Sequence, residues 1–254
     1  MGQPYDDLAS VYDFLVEDEA LLEPSGSVQA FRPWLQDLPP GADVLDCACG
    51  PGHLAVGLAG AGFAVTATDA SSAMVTRTAL LACEYAVEVV SARLTWDQLR
   101  DAGWDDRFGV VFCVGNSLIH AQGRAGRRRA LENMAHVLRP GGRLVLTSRN
   151  WEMIRRAGSG ITVGDHVVVR DGRRAVVIYD WSLRDDWQEP HRLDIAVAVL
   201  QDQDAVRTTS ASLDFWPFRN EDLAADLDAV GLTLETSTYE PEVDRYVVVA
   251  RRGA

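Results

Sequence analysis

The sequence predicts an α/β protein built on a doubly wound, mostly parallel sheet, with a helical cap ahead of it and an antiparallel β insertion late in the chain. Three observations carry that expectation. Residues 44–70 read as a strand, a glycine-rich turn, a helix and a second strand ending in an acid. From there to Thr147, apolar strand-like runs alternate with helical ones, the pattern of a parallel sheet with helices on both faces. After Ile161 the texture changes to strand-like runs of alternating polarity, separated by turns such as Asp171-Gly172, which argues for antiparallel pairing.

Residues 5–37 are predicted as two short helices broken near Glu23-Pro24-Ser25-Gly26. Leu8, Val11, Tyr12 and Leu15 recur at helical spacing, as do Val28, Phe31 and Leu35. Residues 1–40 are expected to lie as a cap over the glycine turn, with the core at 41–150. Val44 and Leu45 end the first strand, Leu54–Ala61 is a short helix, and Phe63–Thr68 is the next strand. Ala70-Ser71-Ser72 starts a helix that continues from Met74 to Ala82. Val87–Val90 is a short third strand, and the uninterrupted apolar run Gly109–Val114 is a central strand buried on both faces. A helix over Gly126–Leu138 stops at Arg139-Pro140-Gly141-Gly142, ahead of a strand over Arg143–Thr147. In the insertion, 151–218, strands are predicted at Val163–Arg170, Ala175–Trp181, Leu193–Leu200 and Val206–Phe215. A helix over Glu221–Val230 and strands at Leu232–Thr238 and Tyr246–Ala250 return to the core as 219–254, so that a single domain spans 1–254.

The 254 residues are 47% hydrophobic, enough for a sizeable core. A net charge of −13 argues against a nucleic-acid surface, which draws on clustered basic residues, and points to a small or cationic partner. The cysteines at 47, 49, 83 and 113 sit in apolar or strand-like contexts and suit reduced core thiols of a cytoplasmic protein. Cys47 and Cys49 are too close for a zinc pair or a Cys-x-x-Cys redox site, and no metal is called for. The opening residues are acidic and polar where a signal peptide would be basic and then apolar. No apolar run approaches the roughly 18 residues of a membrane span, so a soluble, cytoplasmic protein is expected. A homo-oligomer is compatible with all of this.

Gly50-Pro51-Gly52 is a turn where side chains would obstruct a ligand, and bare main chain leading into a helix lets backbone amides approach one. Asp69 stands at the carboxyl end of the second strand, where open α/β sheets place their ligands; a carboxylate there can accept from two vicinal hydroxyls. Gly50-x-Gly52-x-x-Ala55 also fits the dinucleotide pattern, so a nicotinamide-dependent oxidoreductase is the rival reading. Asp46 argues against it. Just before the turn, that acid would face a positive amino group and would do nothing for a pyrophosphate.

Asp46, Asp69 and Pro140-Gly141-Gly142 together resemble class I methyltransferases that use S-adenosyl-L-methionine, whose Rossmann-like sheet has seven strands. More narrowly, residues 44–52, 69–74 and 113–120 and Ser148-Arg149-Asn150-Trp151 resemble the glycine N-methyltransferase and glycine/sarcosine N-methyltransferase group. The resemblance implies that the methionyl end of the cofactor lies near Ala48 and Gly50, its ribose on Asp69 and its adenine beside Met74 and Val114. Asp46, Gly52, Ala70 and Ala92 join that set. Asn116, His120 and Arg149 would line the acceptor side, and Tyr12, with Tyr5, would bring aromatic faces from the cap. The chain departs from the family at Arg93, where a polar residue often follows the alanine, and in Pro24–Ala30, which lacks the family's amino-terminal arginine.

The side-chain chemistry agrees with these roles. Arginine grips a carboxylate with two parallel bonds, which suits Arg149 to an amino-acid-like acceptor. Asn116 offers both a donor and an acceptor. An unperturbed imidazole titrates near neutrality, so His120 could assist as a base or could simply hydrogen-bond the cofactor. Trp151, Tyr179, Trp181, Phe215 and Trp216 are either acceptor-pocket walls or core of the insertion. The expected function is methyl transfer to a small-molecule acceptor, first of all a glycine- or sarcosine-like amine. Alternatives are an N- or O-methyltransferase of natural-product biosynthesis with a larger acceptor, and a non-catalytic adenosylmethionine binder.

Overall fold

The structure is a computed structural model that describes residues 4–164, 166–200 and 205–253. The chain enters through α1 (Pro4–Leu8), 3-10 turns over Ala9–Leu15 and Glu19–Leu22, and α2 (Pro24–Phe31). The break expected near Glu23-Pro24-Ser25-Gly26 falls at Glu23, whose extended backbone separates the second 3-10 turn from α2, and another lies at residues 16–18. Pro24 opens α2, a position where its missing N–H is no loss and its fixed φ already suits a helix.

The core follows as β1 (Asp43–Asp46), α3 (His53–Gly60), β2 (Ala64–Asp69), α4 (Ser72–Glu84), β3 (Val89–Arg93), β4 (Phe108–Cys113), α5 (Gly123–Val137) and β5 (Leu138–Arg149). After α6 (Trp151–Ala157) come β6 (Gly160–Val163), β7 (Val168–Arg170), β8 (Arg173–Ser182), β9 (His191–Leu200) and β10 (Val206–Phe215). The chain ends with α7 (Asn220–Ala229), β11 (Leu232–Ser237) and β12 (Arg245–Arg252). Several strands differ from expectation, among them β5, which starts at Leu138 rather than Arg143 and includes the Arg139-Pro140-Gly141-Gly142 expected as a stop. β3 starts late because Ala86 takes a positive φ of 52° and the Val87 amide bonds back to Ala82, closing α4. The run 163–170, predicted as one strand, is the last residue of β6 and then β7; Asp165 between them lies outside the described residues.

The main sheet has the order β11-β12-β5-β4-β1-β2-β3, with β12 antiparallel to both of its neighbours. Strand order reverses between β1 and β4, and the crevice beyond their carboxyl ends is where such sheets bind ligands. Val110 to Cys113 of β4 are wholly buried, as a strand covered on both faces must be. In the second sheet, β10-β9-β8-β6 with β7 also on β8, pairing is antiparallel throughout. Its inner face, with Val177, Ile195, Leu213 and Phe215, packs into the same cluster as Leu8, Val11 and Phe14 of the cap. Cap and insertion therefore share a core over the crevice.

Two local features hold this frame. Asp226 of α7 accepts from Arg124, Arg127 and Arg128 of α5, and Arg127 is itself buried at 2.6 Å from it. A Cβ on Gly57 would lie 2.0 Å from the Pro24 carbonyl oxygen, so glycine there lets α2 dock onto α3. Cys47, Cys49 and Cys113 are buried free thiols. Cys83, expected in the core, is exposed on α4, because the buried face of that helix carries Met74, Thr78 and Ala82.

Candidate active site

β1 delivers Asp46 to the crevice and the chain turns through Gly50 and Gly52 into α3. Both glycines have positive φ, 52° and 96°. Gly52 is required twice over, since a Cβ there would also stand 2.7 Å from Thr78 Oγ1. At Gly50 the same atom would meet only the Tyr12 hydroxyl, 3.9 Å away. Asp69, at the end of β2, ties the turn to the next helix: Oδ2 accepts from the Gly50 amide and Oδ1 from the Ser71 amide, each at 2.9 Å. Burial raises the Asp69 carboxyl above its usual range, and those two amides offset part of the rise.

Asp46 is 1% exposed and neither of its carboxylate oxygens has a hydrogen-bond partner. Burial pushes its pKa up to about 7; the nearby Ala48 amide opposes this and the charge on Asp69 adds to it. Two carboxylates without a cation thus face one turn. Such a pair is costly unless something positive or hydrogen-bonding arrives.

Beyond β4, Asn116 sits at a left-handed φ of 65° and its Oδ1 accepts from the Arg149 amide at 3.0 Å. His120 lies in the following turn, its Nε2 2.8 Å from the Tyr5 hydroxyl of α1. Burial lowers its pKa to about 4, so His120 is neutral near pH 7; the expectation that it titrates near neutrality is corrected by its desolvation. Tyr12 packs edge-on to Tyr5, with ring centroids 6.1 Å apart, and burial with the Asp69 charge raises its hydroxyl to about 12. Asn116, His120, Arg149, Trp151, Tyr179 and Phe215 line a cavity of about 80 Å³. A more open hollow of about 530 Å³ lies beside Asp180, Asp194 and Ser212 of the second sheet, and no predicted site residue lines it.

Arg149 is not a free clamp. Its Nη2 stands 2.5 Å from Glu17 Oε1 of the cap, and Arg245 reaches the other oxygen of Glu17 at 3.2 Å. Ala70, Met74 and Ala92 lie beside Asp69 and the start of α4: the Met74 amide is capped by Ser71 Oγ at 3.1 Å, and Ala92 pairs with Thr68 in register. Val114 directly follows β4, on the far side of β1 from β2. Arg93 Nε donates to the Ala70 carbonyl at 3.0 Å, so this departure from the family pattern braces the loop after β2.

Residues 44–142 match a family model described as a methyltransferase domain. Over that stretch the chain carries a methyltransferase domain, a kind whose cofactor is S-adenosylmethionine. Glycine N-methyltransferase of Rattus norvegicus is 38% identical over 127 residues, covering 45% of this chain and 43% of that enzyme. This chain therefore spans less than half the length of that methyltransferase. Among solved structures, the CcbJ methyltransferase of Streptomyces caelestis superposes with a TM-score of 0.76 at 22% identity, over 100% of this chain and 99% of that one. CalS10, an amino pentose methyltransferase from Micromonospora echinaspora solved with S-adenosylmethionine bound, gives 0.71 at 22% identity, over 96% and 95%. At such identities the likeness is one of fold.

The residues present fit the cofactor of this methyltransferase domain. The unpartnered Asp46 carboxylate suits a cationic ligand, and Asp69 keeps lone pairs for hydroxyl donors beside its two amide bonds. Gly50 and Gly52 leave the main chain bare between them.

Residues missed in the sequence belong mostly to the cap. Asp6 Oδ1 accepts from Ser71 Oγ at 2.5 Å and from the Ala73 amide at 3.1 Å, at the start of α4. Asp13 takes Arg77 with both oxygens at 2.8 Å, and Arg170 donates to the Asp13 and Val16 carbonyls. The signal available was only a row of acids ahead of the core. Among the described residues, no helix is long and apolar enough to cross a membrane.

Proposed function

We propose that this protein transfers a methyl group from S-adenosylmethionine to the nitrogen of a small-molecule amine. The observation that carries the reading is the buried, unpartnered Asp46 carboxylate beside the half-buried Asp69 at the glycine turn, with a separate cavity walled by aromatic rings and a neutral histidine beyond β4. Asp46, Asp69 and the Gly50–Gly52 turn would hold the cofactor, which when bound supplies a methyl group already activated on a sulfonium. Catalysis then rests on positioning and on exclusion of water. Tyr5 and Tyr12 of the cap close the site, and His120 fixes the Tyr5 hydroxyl. With its pKa near 4, His120 is a weak base at Nε2, so the acceptor amine sheds its proton to solvent before it is enclosed.

Two acceptor sizes fall under this reading. The aligned stretch shared with glycine N-methyltransferase supports a glycine- or sarcosine-like amine. The Arg149–Glu17 pair supports a larger natural-product amine, because the guanidinium that would grip glycine's carboxylate is already engaged. The end-to-end fold likeness to an amino pentose methyltransferase agrees with the second. Incubation with labelled cofactor and a panel of glycine, sarcosine, amino sugars and phenols tests both: label is expected on amines. Transfer to phenols alone, cofactor binding without turnover on any acceptor, or a nicotinamide absorbance change would overturn the reading.

A further inference from the structure

Trp151 opens α6 at the inner end of the cavity. Its ring is 1% exposed, yet its indole N–H has no hydrogen-bond partner. Buried donors are nearly always paired, so an idle one in a cavity wall marks a place where a partner arrives with the ligand. Three polar atoms of the same lining are already engaged: His120 Nε2 with Tyr5, Asn116 Oδ1 with the Arg149 amide, and Arg149 Nη2 with Glu17.

The indole is also held rigidly. Phe215 lies tilted against it at 5.1 Å between centroids, and Trp181 meets it edge-on at 6.0 Å. Behind it, Asn150 caps α6 by accepting from the Met153 amide at 3.0 Å and anchors to the Glu240 and Pro241 carbonyls at 3.2 Å. A donor that neither rotates nor finds a local partner is preorganised for something outside the chain.

An indole N–H donates and cannot accept, so its partner must present a lone pair; an ammonium or a hydrocarbon cannot satisfy it. The neutral amine's own lone pair is directed at the methyl group in the reaction, which leaves an oxygen elsewhere on the acceptor. The walls beside it, Tyr179, Trp181 and Phe215, suit the carbon skeleton that carries such an oxygen. We propose that Trp151 is a specificity-determining residue of the acceptor site: its indole N–H donates to a hydroxyl, ether or carboxylate oxygen of the acceptor and selects oxygen-bearing amines over amines of equal size without that oxygen. This rests on the cavity being the acceptor site.

The test uses matched pairs, ethanolamine against propylamine and 2-aminocyclohexanol against cyclohexylamine, with full-length protein saturated with S-adenosylhomocysteine for binding and with S-adenosylmethionine for turnover. Wild type should favour the oxygen-bearing member of a pair by about 5- to 10-fold in Kd and in kcat/KM, and Trp151→Phe should bring the ratio close to one. The Trp151 indole resonance in a ¹⁵N spectrum of wild type, assigned through its contacts with the Phe215 and Trp181 rings, should move downfield with 2-aminocyclohexanol and stay put with cyclohexylamine. That measurement on wild type stands even where the variant folds poorly. Cyclohexane-1,2-diol, which has the oxygens and no amine, separates the two readings: an indole shift with the diol but no turnover of any amine sinks amine methylation and leaves the Trp151 assignment standing. A wild-type protein that treats both pairs alike or binds neither, a ratio that survives Trp151→Phe, or an indole resonance unmoved by every oxygen-bearing probe would overturn the proposal.

Discussion

The two halves of the site are built in opposite ways. Around the glycine turn, Asp46 is left without a partner and the main chain is bare at Gly50 and Gly52. Around Arg149 the polar groups are already matched to one another, with Glu17, Arg245 and Asn116 closing a network between cap, main sheet and chain end. The first half is a preformed receptor whose free energy is improved by its ligand. The second is a closed arrangement that an acceptor must enter, with the buried Trp151 N–H unpaired in its wall. A cofactor shared by many enzymes calls for a fixed socket, whereas an acceptor is chosen by what it can displace and what it can satisfy.

The contrast breaks most visibly at Gly52. Gly52→Val should abolish cofactor binding by calorimetry and lower Tm by several degrees. A positive φ alone costs a branched residue about 1–3 kcal/mol, and the overlap with Thr78 adds to it. Gly50→Ala, with only the Tyr12 hydroxyl near, should do far less; equal effects would show that the turn is not shaped by Thr78. Next comes Asp69→Ala, which removes the partner of the Gly50 and Ser71 amides as well as the carboxylate proposed to hold the cofactor. Cofactor affinity should fall by about 10- to 100-fold. Unchanged affinity would remove Asp69 from the site.

How much of each half was legible follows from chain distance. Asp46, Gly50, Gly52 and Asp69 lie within one strand-turn-helix-strand unit, and the chemistry of the turn can be read from neighbours in sequence. Glu17 finds Arg149 and Arg245 across 132 and 228 positions, and 24 arginines facing 37 acids leave that pairing open until the fold is known. Burial is equally hidden: nothing around His120 in the sequence shows that Tyr5 and the second sheet will strip its water. The break before Pro24 is legible because proline suits the first position of a helix, whereas the break at residues 16–18 has neither proline nor glycine to mark it.

Two smaller effects sharpen the acceptor side. With His120 neutral well above pH 4, kcat/KM for the amine at saturating S-adenosylmethionine should rise between about pH 5.5 and 8 only with deprotonation of the amine itself. An inflection near 6.5 that disappears in His120→Asn would restore the histidine as a base. Glu17→Gln should cost at most about 1 kcal/mol, since the pair is half exposed, while speeding limited proteolysis of residues 5–35; a cap that stays equally protected would show that Asp6, Asp13 and Arg170 hold it without Glu17.

The central claim is that the glycine turn is a socket awaiting a cation, and Asp46 lets it be measured. In the free protein its pKa is raised to about 7, so below that pH the carboxyl is largely protonated; a positive ligand favours the ionised form and must expel the proton. Titration of S-adenosylmethionine at pH 6 in two buffers of different ionisation enthalpy should therefore reveal release of nearly one proton. The affinity should weaken about tenfold per unit below pH 7 and level off above it. Asp46→Asn should abolish both effects. Binding at pH 6 that releases no proton and keeps the affinity found at pH 8 would contradict the account.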